Sequence, residues 1–119
     1  MIIDEILKRG DIVLVNLDPV IGSGQGKTRP GLIIQNDVGN QYSPVIIIAL
    51  ITSRVFLKEF LTNVFIPAID CGLEKDSTIL LNQIMTIDKK RVLKRLGKLN
   101  LDYMKKVDVA LIKSLDIRI

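Results

Sequence analysis

The residues best suited to chemistry lie in a glycine-rich segment, Gly22 to Pro30, that separates two apolar runs. Its letters GQGKT resemble a phosphate-binding Walker A loop, but that motif would need a glycine where Ile21 stands. Pro30 also disfavours a helix here, because proline pushes the preceding residue out of the α region. We therefore expect a loop between two strands, whose glycines allow a phosphate backbone to approach closely.

Arg29 stands at the end of this loop, just before the next apolar run, and has two interpretations. Its planar guanidinium could present two parallel donors to a phosphate. It could instead pair with a carboxylate, an arrangement that is common at strand ends, and composition alone favours this structural role.

Two further polar residues interrupt or end apolar strands. Thr52 follows the run Val45–Ile51, and its hydroxyl is by itself weak evidence of function because strand ends are commonly solvated. Gln83 lies inside an otherwise apolar run and needs hydrogen-bond partners. It either satisfies backbone groups or faces a groove and reads the edge of a base.

Basic residues concentrate in the segment Lys89–Lys98, which holds six of the seventeen lysines and arginines of the chain. As a solvated face, this segment would bury only Val92, Leu93 and Leu96. As an electrostatic surface, it would attract nucleic acid. The net charge of +4 and the pI of about 9.3 are compatible with that second function.

Composition excludes several kinds of catalysis. The 119 residues include no histidine, so neither a Ser–His or Cys–His nucleophile nor an imidazole metal ligand can form. The single cysteine, Cys71, cannot form an internal disulfide and suits a reducing cytoplasm. The carboxylates are scattered without the pairing of a two-metal nuclease, and we expect neither a metal nor a cofactor.

The remaining pattern indicates one domain over residues 1–119 without a membrane span. Short apolar runs bounded by turn residues predict strands at 12–17, 32–34, 45–52, 62–66 and 78–87. The run at 45–52 is nearly all apolar and should be buried on both faces. Apolar residues then recur at helical spacing from Leu101 to Leu115, with Asn100 as the N-cap. We expect a mostly β fold, a small curled barrel covered by one C-terminal helix.

Taken in order, these motifs resemble the MazF and PemK toxins of toxin–antitoxin pairs, over roughly residues 9–115. The resemblance rests on Arg9-Gly10-Asp11, Leu17-Asp18-Pro19, Gly22-Ser23-x-Gln25-Gly26-x-x-Arg29-Pro30, Ile34-Gln35-Asn36-Asp37, Asn40 with Ser43-Pro44, Ile51-Thr52, Asp76-Ser77, Leu80-Leu81-x-Gln83-Ile84 and Thr86-Ile87-Asp88-Lys89. Each motif alone is weak, whereas their collinear order is specific.

The resemblance implies an SH3-like barrel with a C-terminal helix, acting as a cytoplasmic homodimer. It implies a metal-independent, sequence-selective endoribonuclease (an mRNA interferase) that cuts single-stranded RNA and is blocked by a MazE-like antitoxin. The catalytic pair of the family falls on Arg29 and Thr52. The family's contacts with RNA fall on the loop and on one strand, at Ser23, Gln25, Lys27, Thr28 and Gln83.

These residue types suit RNA cleavage without histidine, because the 2′-hydroxyl of RNA is itself the nucleophile. Arg29 would stabilise the charge of the pentavalent phosphorane, and Thr52 would bind a phosphate oxygen or the 2′-hydroxyl. The expected products carry a 2′,3′-cyclic phosphate and a 5′-hydroxyl.

The chain departs from the usual pattern of the family at Gly24, Lys27, Asn82 and Met85. These changes alter the surface that reads bases, so the cleaved sequence does not transfer. The apolar segment 56–61 is a further departure, which either packs on the barrel or forms a patch for a partner. Two other functions remain open: a CcdB-like toxin that binds DNA gyrase without cutting nucleic acid, and an RNA-binding module that does not cut.

Overall fold

The protein is described by a computed structural model that covers residues 6–19, 27–56, 58 and 60–119. Within these residues the elements follow in the order β1 (Asp11–Asn16), β2 (Thr28–Ile33), α1 (Asp37–Tyr42), β3 (Val45–Thr52), β4 (Asn63–Ile66), β5 (Ser77–Asp88), β6 (Val92–Lys98) and α2 (Leu101–Leu115). Short 3-10 turns lie at Ala68–Asp70 and Lys89–Arg91. The expected mostly β fold with a C-terminal helix is confirmed.

All six strands pair antiparallel in one sheet of order β4-β5-β3-β2-β1-β6. A closed barrel is not formed by strand pairing, since β4 and β6 remain the two edges in the described part of the chain. The segment that follows β4 nevertheless lies against β6, where a Cβ atom on Gly97 would collide with the carbonyl oxygen of Cys71. Gly72 meets the carbonyl of Leu96 in the same way. The two ends of the curled sheet therefore meet through glycine backbone.

Alternate side chains of the strands enter two apolar clusters, one on each face of the sheet. In β3, Ile46 and Ile48 belong to one cluster, whereas Ala49 and Ile51 belong to the other. All four are essentially inaccessible to solvent. The prediction that Val45–Thr52 is buried on both faces is confirmed.

Helix α2 covers the cluster that contains Ala49 and Ile51. Its N-cap is the predicted one, because the Asn100 side chain accepts the Tyr103 N–H at 3.0 Å. Met104 and Val107 are buried as their spacing predicts, but Leu115 is 58% exposed. The buried part of the apolar stripe therefore ends before the last residue of the helix.

Helix α1 was not expected, because Asn36, Asp37 and Gly39 are typical of turns. Here Asn36 caps the helix instead, accepting the Gly39 N–H at 2.8 Å. The buried Asn40 fixes the helix to the segment after β2 by donating to the Gln35 carbonyl at 2.9 Å. A segment with residues typical of a turn thus forms a short helix, because its polar side chains form hydrogen bonds with nearby backbone groups.

Strand β6 was also not expected, because its segment is rich in lysine and arginine. Val92 is buried and Leu96 is half-buried, while charged side chains of this edge strand reach solvent. The basic segment is therefore a 3-10 turn at Lys89–Arg91 followed by the edge strand Val92–Lys98. Lysines on an edge strand discourage pairing with other chains.

Replacing Gly97 by alanine should lower the free energy of unfolding by about 1–3 kcal/mol, because the added Cβ meets rigid backbone at Cys71. Urea unfolding followed by circular dichroism measures the change. Gly31→Ala is the matched control, since its Cβ meets chiefly the flexible end of the Ile48 side chain. Equal losses in the two variants would contradict the backbone contact between the sheet ends.

Candidate active site

The pairing of β2 with β3 brings Arg29 and Thr52 together. Strand β2 begins at Thr28 rather than at Leu32, so Arg29 lies within the sheet. Gly31 pairs with Leu50 of β3, and beyond this pair lie the start of β2, with Arg29, and the end of β3, with Thr52. The Arg29 side chain reaches the carbonyl oxygen of Ile51, the residue before Thr52. The guanidinium is thus held at the end of β3, next to Thr52.

Within the part of the chain that the structure describes, one hydrogen bond to backbone holds Arg29 at the end of β3. Its Nη2 donates to the carbonyl oxygen of Ile51 at 3.3 Å, and the side chain is half-buried. Among the described residues it forms no ion pair with a carboxylate, so the structural role favoured by composition is not supported there. Because a guanidinium has five N–H donors, most of them remain available to an anion.

The hydroxyl of Thr52 is fixed in place by the turn that follows β3. Its Oγ1 accepts the Arg54 N–H at 3.2 Å, which leaves the hydroxyl proton able to donate. Across the sheet Thr52 pairs with Thr78, whose own Oγ1 donates to the Arg54 carbonyl at 2.9 Å. The two threonines therefore hold the turn, and the turn holds the Thr52 oxygen.

Arg29 and Thr52 line a cleft of about 640 Å³ between the start of β2 and the segment before β5. The other lining residues are Leu14, Thr28, Pro30, Ile51, Ser53, Gly72, Leu73, Glu74, Lys75, Ser77, Lys94 and Leu96. The cleft is partly apolar, and its charged lining residues are three cations, Arg29, Lys75 and Lys94, and one carboxylate, Glu74. Such a balance attracts anions such as phosphates.

The sequence matches the family described as "PemK-like, MazF-like toxin of type II toxin-antitoxin system" over residues 8–115. The chain belongs to this toxin family. Endoribonuclease EndoA of Bacillus subtilis (strain 168) is 49% identical over 106 residues, which are 89% of this chain and 91% of that protein. The resemblance seen in the sequence is thereby confirmed.

Solved structures share the fold of the toxin. An endoribonuclease from a mycobacterial species has a TM-score of 0.79 at 20% identity, over 97% of this chain and 96% of that one. A MazE–MazF structure (form II) from Deinococcus radiodurans has a TM-score of 0.77 at 24% identity, over 97% of this chain and 100% of that one.

The other predicted RNA-binding residues of the toxin are distributed unevenly around the cleft. Thr28 is exposed and lines it, and Lys27 is exposed beside it. Gln83 is exposed on β5, near a register shift against β3, and is not among the lining residues. Ser23 and Gln25 lie outside the described residues.

The base of the glycine-rich loop is held next to the cleft by Asp18 and Arg91. The buried Asp18 accepts the Lys27 N–H at 3.1 Å. Nη1 of Arg91 donates to the carbonyl oxygens of Asn16 at 3.0 Å and Asp18 at 2.6 Å. Arg91 therefore fixes the backbone at Asn16 and Asp18 rather than presenting a free charge to a ligand.

The basic segment of the toxin is divided between structural and cleft residues. Arg95 pairs with the buried Asp11 at 2.9 Å, and Arg91 binds the backbone carbonyls just described. Lys94 lines the cleft instead. The basic run by itself does not distinguish Lys94, and Lys75 lies outside that run, because only the tertiary structure shows which side chains line the cleft with Arg29.

Cys71 is a core thiol. It is buried in the cluster under α2, and its Sγ donates to the Pro67 carbonyl at 3.2 Å. Burial raises the pKa of the thiol, which keeps it protonated and unreactive. In the part of the chain that the structure describes, no group of His, Cys, Asp or Glu is arranged to hold a metal, and no helix is long and apolar enough to cross a membrane.

At pH 8, Cys71 should react with iodoacetamide about tenfold more slowly in the folded toxin than in the toxin unfolded by urea. Both its burial and its raised pKa limit attack by the thiolate. Mass spectrometry of timed samples gives the two rates, with free glutathione as the reference thiol. Similar rates in the folded and unfolded toxin would show that the thiol is accessible.

Proposed function

We propose that this toxin is an endoribonuclease that cuts single-stranded RNA, mRNA included, at a short sequence in the cleft of Arg29 and Thr52. The observation that carries the proposal is that a guanidinium, held at the end of β3, and the Thr52 hydroxyl line one cleft with excess positive charge. The Bacillus relative, named an endoribonuclease, supports this reaction class at 49% identity.

The nucleophile is supplied by the substrate. The 2′-oxygen of the ribose attacks the adjacent phosphorus, its proton is released, and the bond from phosphorus to the 5′-oxygen breaks. The leaving 5′-oxygen takes up a proton, which gives a 2′,3′-cyclic phosphate and a 5′-hydroxyl. The protein therefore has to position the phosphate and stabilise its charge, and it needs no histidine.

Arg29 provides the charge stabilisation. Its N–H donors that do not face the Ile51 carbonyl can bind the non-bridging oxygens, on which negative charge accumulates in the pentavalent phosphorane. An arginine stays protonated near neutral pH, so Arg29 acts as an electrostatic clamp rather than as a base. Since this cation serves the purpose that a metal ion serves in other nucleases, we propose that cleavage is metal-independent.

Thr52 provides orientation. Its oxygen is anchored by the Arg54 N–H, so its hydroxyl proton can donate to a phosphate oxygen or to the 2′-hydroxyl from a fixed position. The glycine-rich loop, with Ser23, Gln25, Lys27 and Thr28, and the strand residue Gln83 would contact the neighbouring nucleotides and select the sequence.

The toxin would act in the cytoplasm as a homodimer that a MazE-like antitoxin neutralises. Among solved structures of this fold, one holds a mycobacterial endoribonuclease in complex with its cognate antitoxin, and another is a MazE–MazF structure. The net charge of +4 and the cationic cleft suit an acidic partner segment. The backbone contact of Gly72 with Gly97 supports describing the curled sheet as an SH3-like barrel.

The alternative of a CcdB-like toxin that binds gyrase is less favoured by this site. Binding to gyrase through protein contact would not require a guanidinium and a hydroxyl opposed in a cationic cleft. A module that binds RNA without cutting would use the charge but not the fixed Thr52 hydroxyl.

Arg29→Ala should slow cleavage by about 10²- to 10³-fold, as expected for loss of a donor to the transition-state oxyanion. The assay incubates purified toxin with a long RNA and EDTA and maps the new 5′ ends. Thr52→Val should also be impaired, whereas Thr52→Ser should retain activity. Lys113→Ala, on the exposed face of α2, is the control for charge. Equal cutting by wild type and Arg29→Ala, or gyrase-dependent DNA breaks without RNA cuts, would contradict the proposal.

A single 2′-deoxy substitution at the scissile nucleotide should abolish cleavage, because the attacking oxygen is then missing. The same substitution one nucleotide downstream leaves the attacking oxygen in place and serves as control. Mass spectrometry of the products should detect the cyclic phosphate. Cutting of the deoxy substrate at the normal rate would show that water or a protein group is the nucleophile.

A further inference from the structure

Lys94 is a cation in the cleft that no step of the proposed reaction uses. It lies on β6 and pairs with Leu14 of β1, which pairs on its other side with Pro30 of β2. Strand β1 therefore separates Lys94 from the strand that carries Arg29. Two strand spacings set the backbones about 10 Å apart. The two cations thus occupy different walls of one cleft.

The charge of Lys94 is not used by the rest of the fold. The adjacent Arg95 is bound to Asp11 at 2.9 Å and to the Ile6 carbonyl at 2.7 Å. Lys94 is exposed and, within the described residues, forms neither an ion pair nor a hydrogen bond through its ammonium. Lys98, on the same strand, is exposed but does not line the cleft.

We infer that Lys94 binds an RNA backbone phosphate next to the scissile phosphate held by Arg29. An ammonium group suits this task, because it is a point charge with three donors and needs no fixed orientation of the phosphate. Leu14 and Pro30 lie in one row with Lys94 across the sheet and line the same cleft, to which they contribute apolar surface. The RNA strand would then pass both cations within the cleft.

This inference rests on the proposed function and assigns Lys94 to binding rather than to the reacting atoms. A contact away from the reacting atoms is equal in the ground state and in the transition state, so its loss raises KM and leaves kcat nearly unchanged. Loss of Arg29 should instead lower kcat. The two cations can therefore be distinguished by kinetics.

The test compares Lys94→Ala with Lys98→Ala, which removes the same charge from the same strand outside the cleft. The binding probe is an RNA oligonucleotide that spans a mapped cut and carries deoxyribose at the scissile nucleotide. Fluorescence anisotropy gives the Kd of this probe at several salt concentrations. The cleavage rate of the corresponding all-ribose oligonucleotide gives kcat and KM. A short mixed-sequence single-stranded RNA replaces the probe if wild type makes no cuts.

Lys94→Ala should raise Kd and KM about tenfold, keep kcat within about twofold, and reduce the slope of log Kd against log salt by about 0.7, one phosphate contact. Lys94→Arg should restore the slope, and Lys98→Ala should behave as wild type. If Lys94→Ala and Lys98→Ala had the same slope of log Kd against log salt, the inference would be overturned. A decrease of kcat alone in Lys94→Ala would also overturn it. Absence of cutting by wild type would overturn the proposed function instead, and the salt slope with the mixed-sequence RNA would still decide the assignment of Lys94.

Discussion

The site depends on the register in which β2 pairs with β3. A slip of one residue would turn Arg29 to the other face of the sheet and separate it from Thr52. Burial of β3 on both sides prevents that slip, because Ile48 fills one apolar cluster while Ala49 fills the other. Exchanging these side chains would overpack one cluster and leave a cavity in the other. The apolar strand therefore determines where the polar pair meets.

The positively charged residues of the chain have two roles, structural and in the cleft, and the net charge does not show which residue has which role. Arg91 and Arg95 bind backbone carbonyls and the buried Asp11, and so hold the two ends of β1 in place. Arg29 and Lys94 instead reach the cleft. Arginine suits the first task because its planar fork satisfies several acceptors at once. The lysine of an edge strand remains solvated and able to meet an anion.

Local signals predicted much of the fold. The bounds of β3 follow from an uninterrupted apolar run, and α2 follows from its spacing and from the Asn100 cap, because both depend on residues close in sequence. Strand β6 escaped prediction because its lysines and arginines break the apolar pattern, which an edge strand tolerates. Helix α1 escaped because Asn36 and Gly39 equally suit a turn. The approach of Gly72 to Gly97 joins distant segments and has no local signal.

By itself, the sequence determined the family and one limit of its chemistry: without histidine, no imidazole can act as a base, an acid or a metal ligand. It also named Arg29 and Thr52 through the resemblance. Only the tertiary structure decided that Arg29 faces a cleft rather than a carboxylate among the described residues, and that Lys94 joins it while Arg95 does not. The physical reason is that residue types and motifs are read along the chain, whereas neighbours across a sheet are set by strand order and register.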